Sequence, residues 1–151
     1  MISLIQRVSR ASVRVGSEQV GAIGPGLLVL AAVQRGDGEA QVRRMAERLT
    51  AYRVFPDGNG RMNLDVNQAK GGILLVPQFT LAADTGKGNR PSLGRAAEPG
   101  IGEPLFSRLV AEVQTRCLHV ATGRFGADMD VELVNSGPVT FWLEVPPDSE
   151  N

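Results

Sequence analysis

Apolar and polar positions along this chain fall into short, sharply bounded stretches. Residues 2–8 are rich in apolar side chains and read as a strand. Ala11, Val13 and Val15 then alternate with Ser12 and Arg14, the pattern of a strand with one covered and one wet face. Gly16-Ser17 separates this run from Glu18-Gln19-Val20 and suits a type II′ hairpin with glycine first. Gly24-Pro25-Gly26 is a turn, and residues 27–33 form an unbroken apolar run, as in a strand covered on both faces. Over residues 39–52 the period changes. Val42, Met45, Ala46 and Leu49 fall at i, i+3, i+4 and i+7, with Arg43, Arg44, Glu47 and Arg48 opposite them, which predicts a helix.

Asp57-Gly58-Asn59-Gly60 is a turn between two short extended pieces, and residues 73–76 are a second buried strand ended by Pro77. Residues 83–103 are rich in Gly, Pro and charge and read as a long surface loop, of a length that in compact domains is usually functional. A second helix is expected from Pro104, a residue suited to the first turn, burying Phe106, Leu109, Val110, Val113 and Cys117. Two or three terminal strands follow. In the last, Val139, Phe141, Leu143 and Val145 face one way and Thr140, Trp142 and Glu144 the other. Many short strands with two amphipathic helices predict an α+β domain built on a curved antiparallel sheet or small barrel.

The chain's 151 residues suit one domain, placed at residues 1–146 with a flexible tail at 147–151. The single cysteine, Cys117, offers neither an internal disulfide nor a metal pair, which favours a reducing compartment. The start lacks a basic leader followed by a long apolar run, and no window supplies ~18 apolar residues for a membrane span. The cytoplasm is expected. Formal net charge is zero, so no strong nonspecific pull on nucleic acid follows from the total. Locally, Arg7, Arg10 and Arg14 share a stretch without acids, as do Lys87, Arg90 and Arg95. Arginine suits bidentate phosphate contact, but solvated surface arginines give the same pattern.

Conventional hydrolytic signatures are missing. The one histidine, His119, lies between Leu118 and Val120, a context that favours a structural role, and a two-histidine metal site is excluded. No serine has the glycine pattern of a nucleophile elbow, and Gly86-Lys87-Gly88 lacks the spacing of a phosphate-cradling loop. Two stretches still need an explanation. Pro77-Gln78-Phe79-Thr80-Leu81 ends a buried strand, and Asn135-Ser136-Gly137-Pro138-Val139-Thr140 joins two strands. Taken singly they are ordinary turn chemistry, a strand terminator and a hairpin corner.

Together the two stretches resemble the paired signatures of the D-aminoacyl-tRNA deacylase family, Gln-Phe-Thr-Leu and Asn-x-Gly-Pro-Val-Thr. The likeness extends through Gln6-Arg7-Val8 with Ala11-Ser12-Val13, and through Arg53-Val54-Phe55 with Gly60-Arg61-Met62-Asn63. It continues in Lys87-Gly88-Asn89-Arg90-Pro91-Ser92 and Phe125-Gly126-Ala127-Asp128-Met129.

The resemblance implies a homodimer whose active sites lie at the subunit interface and take the 3′ end of aminoacyl-tRNA. The reaction is ester hydrolysis, a chiral proofreading step in translation quality control that needs no metal or other cofactor. A cis Gly137-Pro138 peptide, inserted into the neighbouring subunit, would reject L side chains sterically and let glycyl esters pass. Gln78, Phe79 and Thr80 would line the scissile ester, with backbone N–H groups holding the oxyanion and the ribose 2′-hydroxyl assisting. Whether the Thr80 hydroxyl attacks, positions water or packs is left open by the residues. Arg7, Lys87 and Arg90 are candidate tRNA contacts. One departure from the family pattern is Pro77, where the common motif has serine; it is expected to be tolerated. The alternative is a noncatalytic RNA-binding or small-ligand-binding dimer of the same fold.

Overall fold

The computed structural model describes residues 1–148. Strand β1 (Ile2–Val15) is the spine: the two stretches separated in the apolar pattern are one strand of 14 residues. Its second half pairs with β2 (Glu18–Ile23) through the two-residue turn at Gly16-Ser17. Its first half pairs on the same side with β3 (Gly26–Ala32), also antiparallel. Along its other side runs β8 (Asp130–Glu144). Helix α1 (Glu39–Ala51) and the small hairpin of β4 (Phe55–Pro56) and β5 (Met62–Leu64) lie between β3 and β6 (Gly72–Pro77). A 3-10 turn (Phe79–Ala82), a loop and helix α2 (Pro99–Gln114) then lead to β7 (Val120–Thr122).

The α+β class and the curved, nearly closed sheet agree with expectation, but the sheet is mixed. β6 pairs parallel with both β3 and β7. The physical reason lies in the connections: a crossover carrying a helix returns the chain to the same edge and makes parallel neighbours. β2 comes back beside β7, and Gly21 marks the contact. A Cβ there would stand 2.5 Å from the Thr122 carbonyl oxygen, so only glycine lets the barrel close.

Burial follows the alternation. Leu27, Val29, Ile73 and Leu75 face α1 and α2, together with Met45, Leu49, Leu109 and Leu143. Leu28, Leu74, Val76, Val8 and Val13 fill the barrel interior. Two expectations need correction. Helix α2 starts at Pro99 rather than Pro104, which sits inside it. Gly100 and Gly102 are poor helix formers, and they gave the first turn the composition of a loop. The segment 135–140 is no hairpin corner between two strands but an excursion within the single strand β8. Val8 pairs with Asn135 and Gln6 with Thr140, so residues 136–139 loop out opposite Arg7 alone.

The start of β1 and the segment after β8 are tied together by one cluster around the Met1 ammonium. The Met1 ammonium donates to Asp37 Oδ1 at 2.7 Å, Gln34 Oε1 at 3.0 Å and the Val145 carbonyl at 2.6 Å. Of the expected tail at 147–151, residues 149–151 lie outside the described residues. Gln41 Nε2 donates to the Pro146 carbonyl at 3.3 Å and to Asp148 Oδ1 at 3.2 Å. Among the described residues no helix is long and apolar enough to cross a membrane.

Candidate active site

Parallel strands expose their carboxyl ends at one edge of a sheet, and loops there are the usual place for a site. Here the segments following β3, β6 and β7 converge on a cleft of about 600 Å³, lined among others by Arg35, Gln78, Phe79, Leu93, Phe125 and Met129. Gln78 leaves β6 with its amide bonded to the Ala31 carbonyl at 2.7 Å, so β3 holds the start of the turn. Leu81 N–H bonds back to the Gln78 carbonyl at 3.2 Å. The amides between them, of Phe79 and Thr80, have no acceptor within the turn, because a 3-10 turn leaves its first N–H groups unused. The Gln78 side-chain Nε2 donates to Thr80 Oγ1 and ties the two side chains across that turn. The Phe79 ring is 55% exposed and forms part of the cleft wall.

Pro77 closes β6. Ile73 N–H points to the β7 side, bonding the His119 carbonyl, and Gln78 N–H points to β3. By that alternation a residue-77 amide would turn to the β7 side, toward Gly123, whose own N–H bonds the Leu75 carbonyl at 2.8 Å. Proline there offers no N–H to the last rung on the β7 side and leaves the β3 side paired through the Gln78 amide.

The excursion of β8 is held from three sides. Arg7 Nε donates to the Ser136 carbonyl at 3.1 Å, and its Nη1 to the Val54 carbonyl at 2.7 Å. Val139 N–H donates to Asn135 Oδ1 at 3.1 Å, and Asn135 Nδ2 to Thr140 Oγ1 at 2.9 Å. At its exposed tip the Gly137-Pro138 peptide is cis, as the resemblance implies. Gly137 has φ +128°, and a Cβ on it would meet Val139 Cγ2 at 2.8 Å and Arg7 Nη2 at 2.9 Å. Gln78, Phe79 and Thr80 are thus brought together by one turn, and Gly137 and Pro138 by another. Within one chain the latter do not line the cleft.

Lys87 and Arg90 lie near the tip of a loop closed by Asp84 and Ser92, which exchange both main-chain hydrogen bonds at 2.7 and 2.9 Å. Arg7, by contrast, is half-buried and committed to main-chain carbonyls. His119 is exposed at the opposite end of the barrel, beside Lys70 in a separate hollow. Cys117 is buried in the core. Sequence reasoning assigned no role to Arg35, Phe125 or Met129. The available signals were position for Arg35, which follows the apolar run at 27–33, and the family likeness at residues 125–129 for Phe125 and Met129.

The family described as D-Tyr-tRNA(Tyr) deacylase matches residues 4–144. The D-aminoacyl-tRNA deacylase of Thioalkalivibrio sulfidiphilus is 63% identical over 147 residues, covering 97% of this chain and 99% of the relative. That of Methylococcus capsulatus is 63% identical over 148 residues, covering 98% and 97%. Among solved structures, one named c-Myc DNA Unwinding Element Binding Protein superposes with a TM-score of 0.92 at 36% identity, covering 97% of this chain and 99% of that one. Another, described as a probable eukaryotic D-amino acid tRNA deacylase, has a TM-score of 0.82 over 95% and 98% of the two chains; at 17% identity it speaks for the fold alone. With the family match spanning nearly its whole length and both signature turns formed, the chain belongs to the D-Tyr-tRNA(Tyr) deacylase family.

Proposed function

We propose that the protein hydrolyses the ester between a D-amino acid and the terminal ribose of tRNA, releasing both, and that it acts in the cytoplasm as a homodimer. The observation carrying this reading is the pair of unused amides at Phe79 and Thr80 beside an apolar, aromatic-walled cleft. A cleft of about 600 Å³ has room for a nucleoside, and aromatic faces such as Phe79 and Phe125 suit an unpaired base. Water attacks the ester carbonyl. The resulting oxyanion is held by the Phe79 and Thr80 amides, each such donor being worth ~3 kcal/mol. The C–O bond to ribose then breaks, and the proton given up by the attacking water passes through the neighbouring 2′-hydroxyl to the leaving ribose oxygen. Gln78 holds the Thr80 hydroxyl in place, and that hydroxyl positions water rather than attacking, since no base is arranged to take its proton.

The exposed Gly137-Pro138 main chain of one subunit reaches the cleft of the other and blocks L side chains, while a D side chain or none is accepted. β8 is the outer strand of the sheet and leaves Val134 and Trp142 exposed, which supports a dimer formed on that side. Purified protein is expected to deacylate D-Tyr-tRNA at least ~100-fold faster than L-Tyr-tRNA, with no loss in chelator. Preference for the L ester, or activity abolished by chelation, overturns the proposal.

Lys87 and Arg90 are proposed phosphate contacts, whereas Arg7 is proposed to brace the chirality filter. Arg7→Ala is therefore expected to lower kcat for D-Tyr-tRNA about tenfold while leaving the salt dependence of KM unchanged. A residue bound to phosphate instead flattens that dependence by ~0.7 in log–log slope. Hydrolysis rates from 50 to 200 mM salt distinguish the two roles.

A further inference from the structure

Two arginines of the cleft region face each other without compensation. Gln34 and Ala96 form an isolated antiparallel bridge, flanked by hydrogen bonds from Arg35 N–H to the Arg95 carbonyl (2.9 Å) and from Ala97 N–H to the Val33 carbonyl (3.0 Å). That register makes Arg35 and Arg95 neighbours across the bridge, next to buried Gln34 and Ala96. Like charges opposed across a ladder are unfavourable. Some surface arginines are paired, Arg10 with Glu132, Arg44 with Glu47, Arg108 with Glu39, Arg116 with Glu112 and Arg124 with Glu18, while others such as Arg14, Arg43 and Arg61 have no carboxylate within 4.0 Å among the described residues; Arg35 and Arg95 differ from these in being set against each other. Among the described residues no carboxylate lies within 4.0 Å of either Arg35 or Arg95, although Glu98 and Asp128 also line the cleft. Both guanidinium groups are exposed, and Arg35 forms part of the cleft wall.

We infer that Arg35 and Arg95 form a two-guanidinium clamp for the phosphodiester backbone of single-stranded RNA entering the cleft. This rests on the deacylase reading above. A phosphate between the two forks relieves their repulsion and takes bidentate hydrogen bonds. Glu98 and Asp128 repel the backbone from their own side of the cleft and so confine it to the arginines.

The test compares wild type, R35E, R95E and R35E/R95E on D-Tyr-tRNA and on D-tyrosyl-adenosine, which carries no phosphate. For the double variant, KM for the tRNA is expected to rise at least ~10-fold, with the salt slope of log KM flatter by roughly 0.7 per lost contact. Its loss on D-tyrosyl-adenosine is expected to be clearly smaller than its loss on the tRNA, and the excess on the tRNA to lie in KM rather than kcat. R35E alone places opposite charges across the pair, so its melting temperature is expected to match or exceed wild type, and the melting temperature of R35E/R95E is measured beside it to show that the double variant folds. Unchanged KM and salt slope overturn the clamp, and so does an equal loss on both substrates. Fluorescence anisotropy with a short RNA ending in CCA separates this inference from the deacylase reading. Arginine-dependent binding by a wild type that cleaves no D ester refutes the reaction and leaves the clamp standing. Cleavage with an unaltered salt slope in R35E/R95E does the opposite.

Discussion

Gly137→Ala is expected to lower kcat/KM for D-Tyr-tRNA at least ~100-fold, about 2.7 kcal/mol of transition-state stabilisation, with only a small change in melting temperature. Residue 137 sits at φ +128°, a conformation L side chains rarely adopt. The added methyl group would stand 2.8 Å from Val139 Cγ2 and 2.9 Å from Arg7 Nη2. Neither neighbour yields cheaply, because Arg7 is bonded to the Ser136 and Val54 carbonyls and Val139 N–H to Asn135. The excursion must therefore move, and its tip carries the main chain proposed to meet the substrate. A misplacement of about 1 Å can cost ~100-fold in rate. Because the tip is exposed and outside the core, the fold itself is little affected. Near wild-type turnover in a well-folded Gly137→Ala protein would remove the excursion from the mechanism.

The second large effect is on stability. Asp37→Asn is expected to destabilise the protein by roughly 3 kcal/mol, since breaking one side of a buried ion pair leaves an uncompensated charge. At 2–4 °C per kcal/mol for a chain of this size, the melting temperature falls by about 6–12 °C. Asp37 Oδ1 takes the Met1 ammonium while its Oδ2 accepts the Gln34 amide at 2.7 Å, and the ammonium also bonds the Val145 carbonyl. One carboxylate thus joins the start of β1, the loop before α1 and the segment after β8. Burial pushes the Met1 ammonium pKa below its ordinary value of 8.0, and Asp37 partly opposes that shift.

With Asp37 replaced, the ammonium pKa drops further. The unfolded variant then binds more protons than the folded one between that lowered pKa and 8.0, so its stability rises with pH across this window. The deficit relative to wild type is accordingly expected to be smaller at pH 9 than at pH 6. Urea denaturation at both values checks it, and a deficit that grows with pH would show that the amine is not the group left unpaired.

Legibility in the sequence tracked the range of the interactions involved. The strands at 27–33 and 73–76 and helix α1 were readable because alternation and the 3.6-residue period reflect a burial gradient within each element. The start of α2 was hidden by Gly100 and Gly102, whose cost to the helix is offset by burying Phe106, Leu109 and Val113. The site divides in the same way. Gln78, Phe79 and Thr80 were visible as a motif, and the structure made them one turn with two unused amides. Arg7 stood out only as a basic residue. Its contacts to residues 54 and 136 depend on which strands neighbour β1, which periodicity does not encode. Arg35 and Arg95, 60 positions apart in number, became partners only through the bridge at Gln34 and Ala96.

The amino-acid order by itself determined the element types, the division of apolar positions between two faces and the two motifs that mark the family. Each depends on neighbours within a few residues, whose spacing the backbone geometry translates directly into a face or a turn. Only the tertiary structure decided that β3, β6 and β7 run parallel, that residues 136–139 bulge from one strand, and that Met1 and Asp37 bury their charges together. Those outcomes pair residues distant in the chain. They are selected by closure of the sheet and by exclusion of water from the core, which act on the folded whole rather than on any local stretch.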